Sequence, residues 1–340
     1  MSLSRKDTQK PFILIAAMAV GVAIQMFIGQ AVAGLMIVTQ LGIFATLTAI
    51  MVPIEVSDLG AASRKLKPTA IALFVNFIII PAFAWSLGWL VLRNYPDLWV
   101  GAVLYTLTPC IGWYLIFTDI AQGNTAWGVA LLPWNVTFQM LLLPVYLYLL
   151  VGRVIPVGMG VLFESIGLYL IAPAVLSIVI RRAIIAARGR AYFDGRFKAG
   201  LGKFKLWALV AVIISMFVSQ NPLSLSDLKA TGLLIALLVA FFAALFALAL
   251  LTGRVFRLTY EDNATLAFTT TARNSEVVIG VALAAFPGHP LVYMAIILGP
   301  IVELPVLLLI AQVLLSWRAW IGVPAAAGRS LEKQLAGSGM

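Results

Sequence analysis

The sequence predicts an all-α integral membrane protein: ten transmembrane helices in two inverted repeats of five, forming a single membrane domain over 1–340. Three observations lead there. Hydrophobic residues fill 62% of the chain and charged residues only 11%, with a mean hydropathy of +1.05, far outside soluble domains. Apolar runs close to the roughly 20 residues that a helix needs to cross a bilayer recur along the whole chain. Lys and Arg concentrate in every second connection between those runs, as topology signals do.

The polar start MSLSRKDTQK leads into the first span, 11–29, without a small-residue cleavage pattern, so it reads as a transmembrane helix and not a cleaved signal peptide. The following spans are expected at 35–55, 68–92, 98–118 and 126–151, then at 157–180, 204–219, 228–252, 264–286 and 291–317. The seventh is short, and Lys203 and Lys205 must snorkel for it to cross. A basic loop, 181–205, follows the sixth span, and residues 318–340 read as a short mobile tail. Of 23 Lys and Arg, only Arg93, Arg153 and Lys229 fall in segments assigned outside and Arg273 within a span. Both termini are therefore expected in the cytoplasm, in a bacterial plasma membrane. Five spans per repeat is an odd number, so the repeats run in opposite directions. Pro133 with Asn135 in span five echoes Pro300 with Glu303 in span ten, and the polar run 106–110 in span four echoes 269–273 in span nine.

Composition also excludes classes of function. A net charge of +10 invites nucleic acid in a soluble protein, but here most of the basic residues lie between apolar spans, so no nucleic-acid role is read. The single Cys110 rules out an internal disulfide, and with one histidine, His289, no metal site or cofactor is expected. No HExxH, Ser/His/Asp set or Gly-rich phosphate loop is present, so the chain is not read as an enzyme.

The informative residues are polar ones at depth, because a bilayer core tolerates them only where protein or an aqueous cavity receives them. At 1.5 Å per helical residue, Cys110, Asn135, Arg273 and Glu303 each lie about 14–18 Å from a span end, near the midplane. Arg273 needs a partner there, and Glu276, one turn on, and Glu303, in the next helix, are the expected ones. Two acids facing one base leave one acid to exchange a proton. Glu303 sits between Pro300 and Pro305, which free backbone carbonyls and make room for a cavity. Asn274 and Ser275 can start a half-helix after a break in span nine, with Glu276 in its first turn. Pro109 breaks span four before Cys110, whose thiol suits a soft electrophile such as trivalent arsenic or antimony, or serves as a small packing residue. The hydroxyls of 269–271 either face the site or bond their own helix, and Asn76 and Gln139 are expected to form interhelical hydrogen bonds.

These residues resemble the bile acid/sodium symporter superfamily, particularly its arsenical-resistance permease branch. The likeness is carried by PCIGW around Cys110, FVNFIIIP at 74–81, ARNSEVVIGVALAAF at 272–286 and GPIVELPVL at 299–307. It implies ten helices in inverted repeats, a panel and a core domain, and broken helices, spans four and nine, crossing beside the site. It also implies arsenite efflux driven by proton exchange, with functional roles for Cys110 and Glu303. The chain departs from that branch in two ways. Pro109 stands where a basic residue usually precedes the cysteine, while Arg273 supplies a charge in span nine. Thr269 stands where the bile-acid branch has a glutamate, which weakens a sodium site, although Asn135, Thr137, Thr269, Thr271 and Ser275 offer neutral oxygens. The expected function is secondary-active export of arsenite or antimonite against protons, with Cys110, Glu303, Arg273, Asn274 and Asn135 at the substrate and Glu303 and Glu276 in proton coupling. The alternative is a sodium- or proton-coupled symporter of a small organic anion held by Arg273. The partners are a small solute, protons and the bilayer; the oligomeric state is left open.

Overall fold

The computed structural model describes residues 5–28, 33–53, 65–110, 113–155, 159–220, 228–286 and 288–320. Among them every regular element is helical. We number the helices α1 (Arg5–Ile28), α2 (Ala33–Met51), α3 (Leu66–Leu92), α4 (Pro96–Thr106), α5 (Trp113–Ile120), α6 (Thr125–Leu149), α7 (159–188), α8 (190–220), α9 (Leu228–Val255), α10 (Tyr260–Thr271), α11 (Ser275–Ala285) and α12 (Pro290–Trp320). Five helical stretches are long and apolar enough to cross a membrane: Leu66–Leu92, Thr125–Arg153, Gly167–Arg188, Lys229–Val255 and Leu291–Arg318. Their many exposed Leu, Val, Ile and Phe side chains suit a lipid-facing surface. This is a multi-pass membrane protein.

Prolines explain the irregular turns. Pro81 has no N–H and its ring collides with the carbonyl of Phe77 four residues back. The helix widens into a π turn at Val75–Ile79, and the freed Phe77 carbonyl accepts the Tyr146 hydroxyl of α6. The same sequence of events precedes Pro173, where Gly167–Ile171 is π-helical within α7.

Two expectations are corrected here. The basic segment 181–205 is not a loop. Helix α7 runs to Arg188, Gly189 turns the chain at φ 79°, and α8 starts at Arg190, so the charges line a helical hairpin. Asp194 holds Arg190 and Lys198 one turn to either side, which lets a basic stretch remain helical. Nor does the tail begin at 318. Helix α12 continues to Trp320, and Arg318 is buried against Gln122 and Glu261; residues from 321 lie outside those described.

The contacts at helix ends sort into two groups. Asp97 in the first turn of α4 and His289 just before α12 pair at 3.1 Å. At the other end Lys65 and Asn124 both reach Asp262, at 2.6 and 2.7 Å, and Arg318 joins Gln122 to Glu261.

Candidate functional site

Helices α4 and α10 both stop in the interior, and the short segments after them meet. Pro109 and Arg273 face each other as an isolated antiparallel bridge pair. Cys110 N donates to Ala272 O and Asn274 N to Thr108 O, each at 2.9 Å, and the Thr108 hydroxyl reaches Asn274 O at 3.0 Å. Each break thus satisfies one backbone carbonyl and one N–H of the other. The chain then re-enters helix on both sides. Trp113 N at the start of α5 donates to the Cys110 sulfur at 3.2 Å, and Asn274 caps α11 by accepting from Val277 N. Ser275 is the first residue of α11.

In this bridge geometry the N–H groups of the facing residues point away from the partner strand. Position 109 has none, being proline. The N–H of Arg273 donates to Glu303 Oε1 at 3.0 Å, and the Tyr105 hydroxyl donates to Glu303 Oε2. Glu303, Arg273, Asn274 and Cys110 are all at most 3% exposed. On the opposite flank, Asn135 of α6 donates through Nδ2 to the Thr269 hydroxyl at 3.1 Å.

Among the described residues the hydrogen-bond acceptors of the Arg273 guanidinium are of a different kind from the expected carboxylates. Its hydrogen bonds run to backbone carbonyls: Nη1 to Thr106 O at 3.1 Å, Nη2 to Thr270 O and Nε to Thr271 O at 3.4 Å. Glu303 is engaged by the backbone of Arg273. The side chain of Glu276 lies outside those described.

The hydroxyl run divides. Thr270 and Thr271 bond back to Leu266 and Ala267 of their own helix, and Thr137 to Pro133 O, whereas Thr269 turns toward Asn135. Asn76, expected to bond across helices, is fully buried with neither amide atom partnered; Gln139 Oε1, Asn135 Oδ1 and Asn274 Nδ2 are also buried without partners. Unsatisfied amides in a protein interior are costly, and these lie at the π turn of α3, within α6 and at the start of α11. Among the described residues no three His, Cys, Asp or Glu side chains gather as a metal site would require.

Tyr105 was invisible in the sequence, one aromatic in an apolar run. The signal that could have found it is Gly299, one residue before the Pro300–Glu303 motif: a Cβ there would lie 2.4 Å from the Tyr105 ring, so the glycine makes room for a bulky partner.

Residues 40–227 match the Sodium Bile acid symporter family, a range that holds the first break and Asn135. Over 94% of the chain the sequence is 24% identical to the arsenical-resistance protein Acr3 of Corynebacterium glutamicum, covering 90% of that protein. It is 22% identical to the Acr3 of Alkaliphilus metalliredigens, over 79% of each chain, and 23% identical to the uncharacterized sodium-dependent transporter YocS of Bacillus subtilis, over 70% of each. With the family match spanning more than half of its length and a relative aligned over 94% of it, the chain belongs to the sodium/bile acid symporter family of membrane transporters.

Proposed function

We propose that this protein is a secondary-active permease of the bacterial plasma membrane that exports arsenite, or antimonite, in exchange for protons. The observation that carries the reading is the placing of one thiol and one carboxylate on the same bridge: Cys110 is tied through its N–H to Ala272, and Glu303 through Oε1 to the N–H of the next residue, Arg273. Cys110 would make the transient soft contact with trivalent arsenic, and a single thiol releases what it binds. Glu303 would alternate between proton and substrate, with Asn135 and Asn274 supplying the unpartnered amides that orient a hydroxylated solute. Glu276 would assist proton transfer. Two relatives named for arsenical resistance support the substrate class.

The inverted repeat is part of the same reading. It accounts for the two paired breaks, and for the sorting of end contacts into an Asp97–His289 group and a Lys65–Asp262–Arg318 group. The branch usually has a basic residue at the position of Pro109, and Arg273 faces that proline across the bridge, so the charge is supplied from the other repeat. The second reading, a coupled importer of a small organic anion held by Arg273, has the likeness to YocS in its favour. Against it, three guanidinium donors are already spent on carbonyls.

The test is arsenite uptake into inverted vesicles under an imposed proton gradient. Gradient-driven uptake that is lost in Cys110→Ala and Glu303→Gln supports the antiporter. Absence of arsenite flux from folded protein moves the assignment to the organic-anion symporter, whose flux Arg273→Gln would abolish.

A further inference from the structure

The crossing of the two breaks leaves particular carbonyls without their helical donors. In an unbroken helix Thr106 O would accept from Cys110 N, and Thr270 O from Asn274 N. Here Cys110 N goes to Ala272 O and Asn274 N to Thr108 O. The exchange therefore orphans one carbonyl in the last turn of each half-helix, and these two are the ones the Arg273 guanidinium serves, along with Thr271 O.

Each helix C-terminus carries a partial charge of about −0.5. Two of them end at the carbonyls that the guanidinium bonds, so that side of the crossing favours a cation. In transporters built on discontinuous helices, the C-terminal ends and unwound carbonyls are where a coupling sodium ion or proton is held. From this geometry we infer that Arg273 is a tethered cation. Its guanidinium occupies the place that a free monovalent cation would take between α4 and α10, and the crossing neither binds nor needs sodium. The planar fork reaches carbonyls of both half-helices at once, which a lysine ammonium does only as a point charge. This limits the coupling ion in the reading above but does not rest on its substrate.

The experiment uses the purified full chain in detergent, with melting temperatures taken in sodium chloride and in choline chloride of equal ionic strength. The probes are sodium ion and millimolar guanidinium ion, and no arsenite is present, so failure of the arsenite assignment leaves this result intact. The natural protein is expected to melt at the same temperature in both salts. Arg273→Ala and Arg273→Gln are expected to melt several degrees lower in choline chloride and to recover with sodium or guanidinium, while Arg273→Lys stays indifferent to sodium. Sodium-dependent stabilisation of the natural protein, which needs no variant to fold, would overturn the inference. So would neutral variants that ignore both cations.

Discussion

Replacing Gly299 by alanine tests whether the Tyr105–Glu303 contact is set by packing between α4 and α12. The added Cβ would lie 2.4 Å from Tyr105 Cζ and 2.5 and 2.6 Å from its two Cε atoms. The ring is fully buried and cannot swing into solvent. Overpacking of this kind costs about 1–3 kcal/mol. The displaced ring tip carries the hydroxyl that donates to Glu303, and a hydrogen bond to a charged group contributes about 1.5–3 kcal/mol. Alanine is the better helix former by about 1 kcal/mol, so the net loss expected is on the order of 1.5–5 kcal/mol. The assay is a double-mutant cycle of unfolding in detergent, with Gly299→Ala placed in the natural background and in Tyr105→Leu. Leucine lacks the atoms that collide, so there the same substitution should cost less than about 0.5 kcal/mol, leaving a coupling of at least about 1 kcal/mol. Equal costs in the two backgrounds, or no loss in the natural one, would refute the packing argument.

Other outcomes follow from the same geometry. Gly101→Ala places a Cβ 2.3 Å from Val292 O, against backbone that cannot yield, and should lower the unfolding free energy by the upper part of the ~1–3 kcal/mol overpacking range; unchanged unfolding would mean α4 and α12 are not so close. Asp262→Asn removes the charge held by Lys65 and Asn124 at 2.6 and 2.7 Å; with the lysine 39% exposed, the coupling in a cycle with Lys65→Met should be about 1 kcal/mol or less. In a Cys110→Ala background, Asn94→Cys should react with an impermeant maleimide from outside intact cells, and Lys67→Cys and Arg257→Cys only after permeabilisation. Labelling of all three from one side would sink the ten-span topology. Asp194 in the basic hairpin is held below its ordinary carboxyl pKa, first by the hydrogen bond from Lys198 and then by that from Arg190. Its contribution is present above about pH 4 and lost as the pH falls through the lowered value, so Asp194→Asn should differ from the natural protein at pH 7 and the difference should shrink as the solution is acidified.

How much of this could be read beforehand depended on the kind of atom involved. Breaks in spans four and nine were legible because Pro109 and the polar runs around it and around Arg273 have no place in a continuous lipid-facing helix. Asn274 as the start of a half-helix was legible from capping chemistry, and the structure has its side chain accepting from Val277 N. The partners of Arg273 were not. A sequence displays carboxylates as candidate partners, whereas the acceptors among the described residues are carbonyls of Thr106, Thr270 and Thr271, which every residue possesses and only the crossing exposes. The basic hairpin was misread for a related reason. A cluster of like charges suggests a solvated loop, but Ala-rich surroundings and the Arg190–Asp194–Lys198 ladder favour helix, and Gly189 alone marks the turn.

In the inverted-repeat reading the two halves divide the electrostatics unequally. Position 109 is matched with 273 and Asn135 with Glu303, so the first repeat places a proline and a neutral amide where the second places a cation and a carboxylate. The cross-contacts keep the repeat's pattern: Asn135 reaches Thr269 near the end of α10, and Glu303 receives Tyr105 near the end of α4. Both charges therefore come from one repeat and meet at the bridge, where the N–H of Arg273 bonds Glu303. Had the repeats been identical, two guanidinium groups would face each other across the bridge in a low-dielectric interior, an arrangement that only neutralisation or a bound counter-ion relieves. Asymmetry instead leaves one arginine bonding carbonyls of both half-helices, with the carboxylate of the same repeat held by that arginine's N–H.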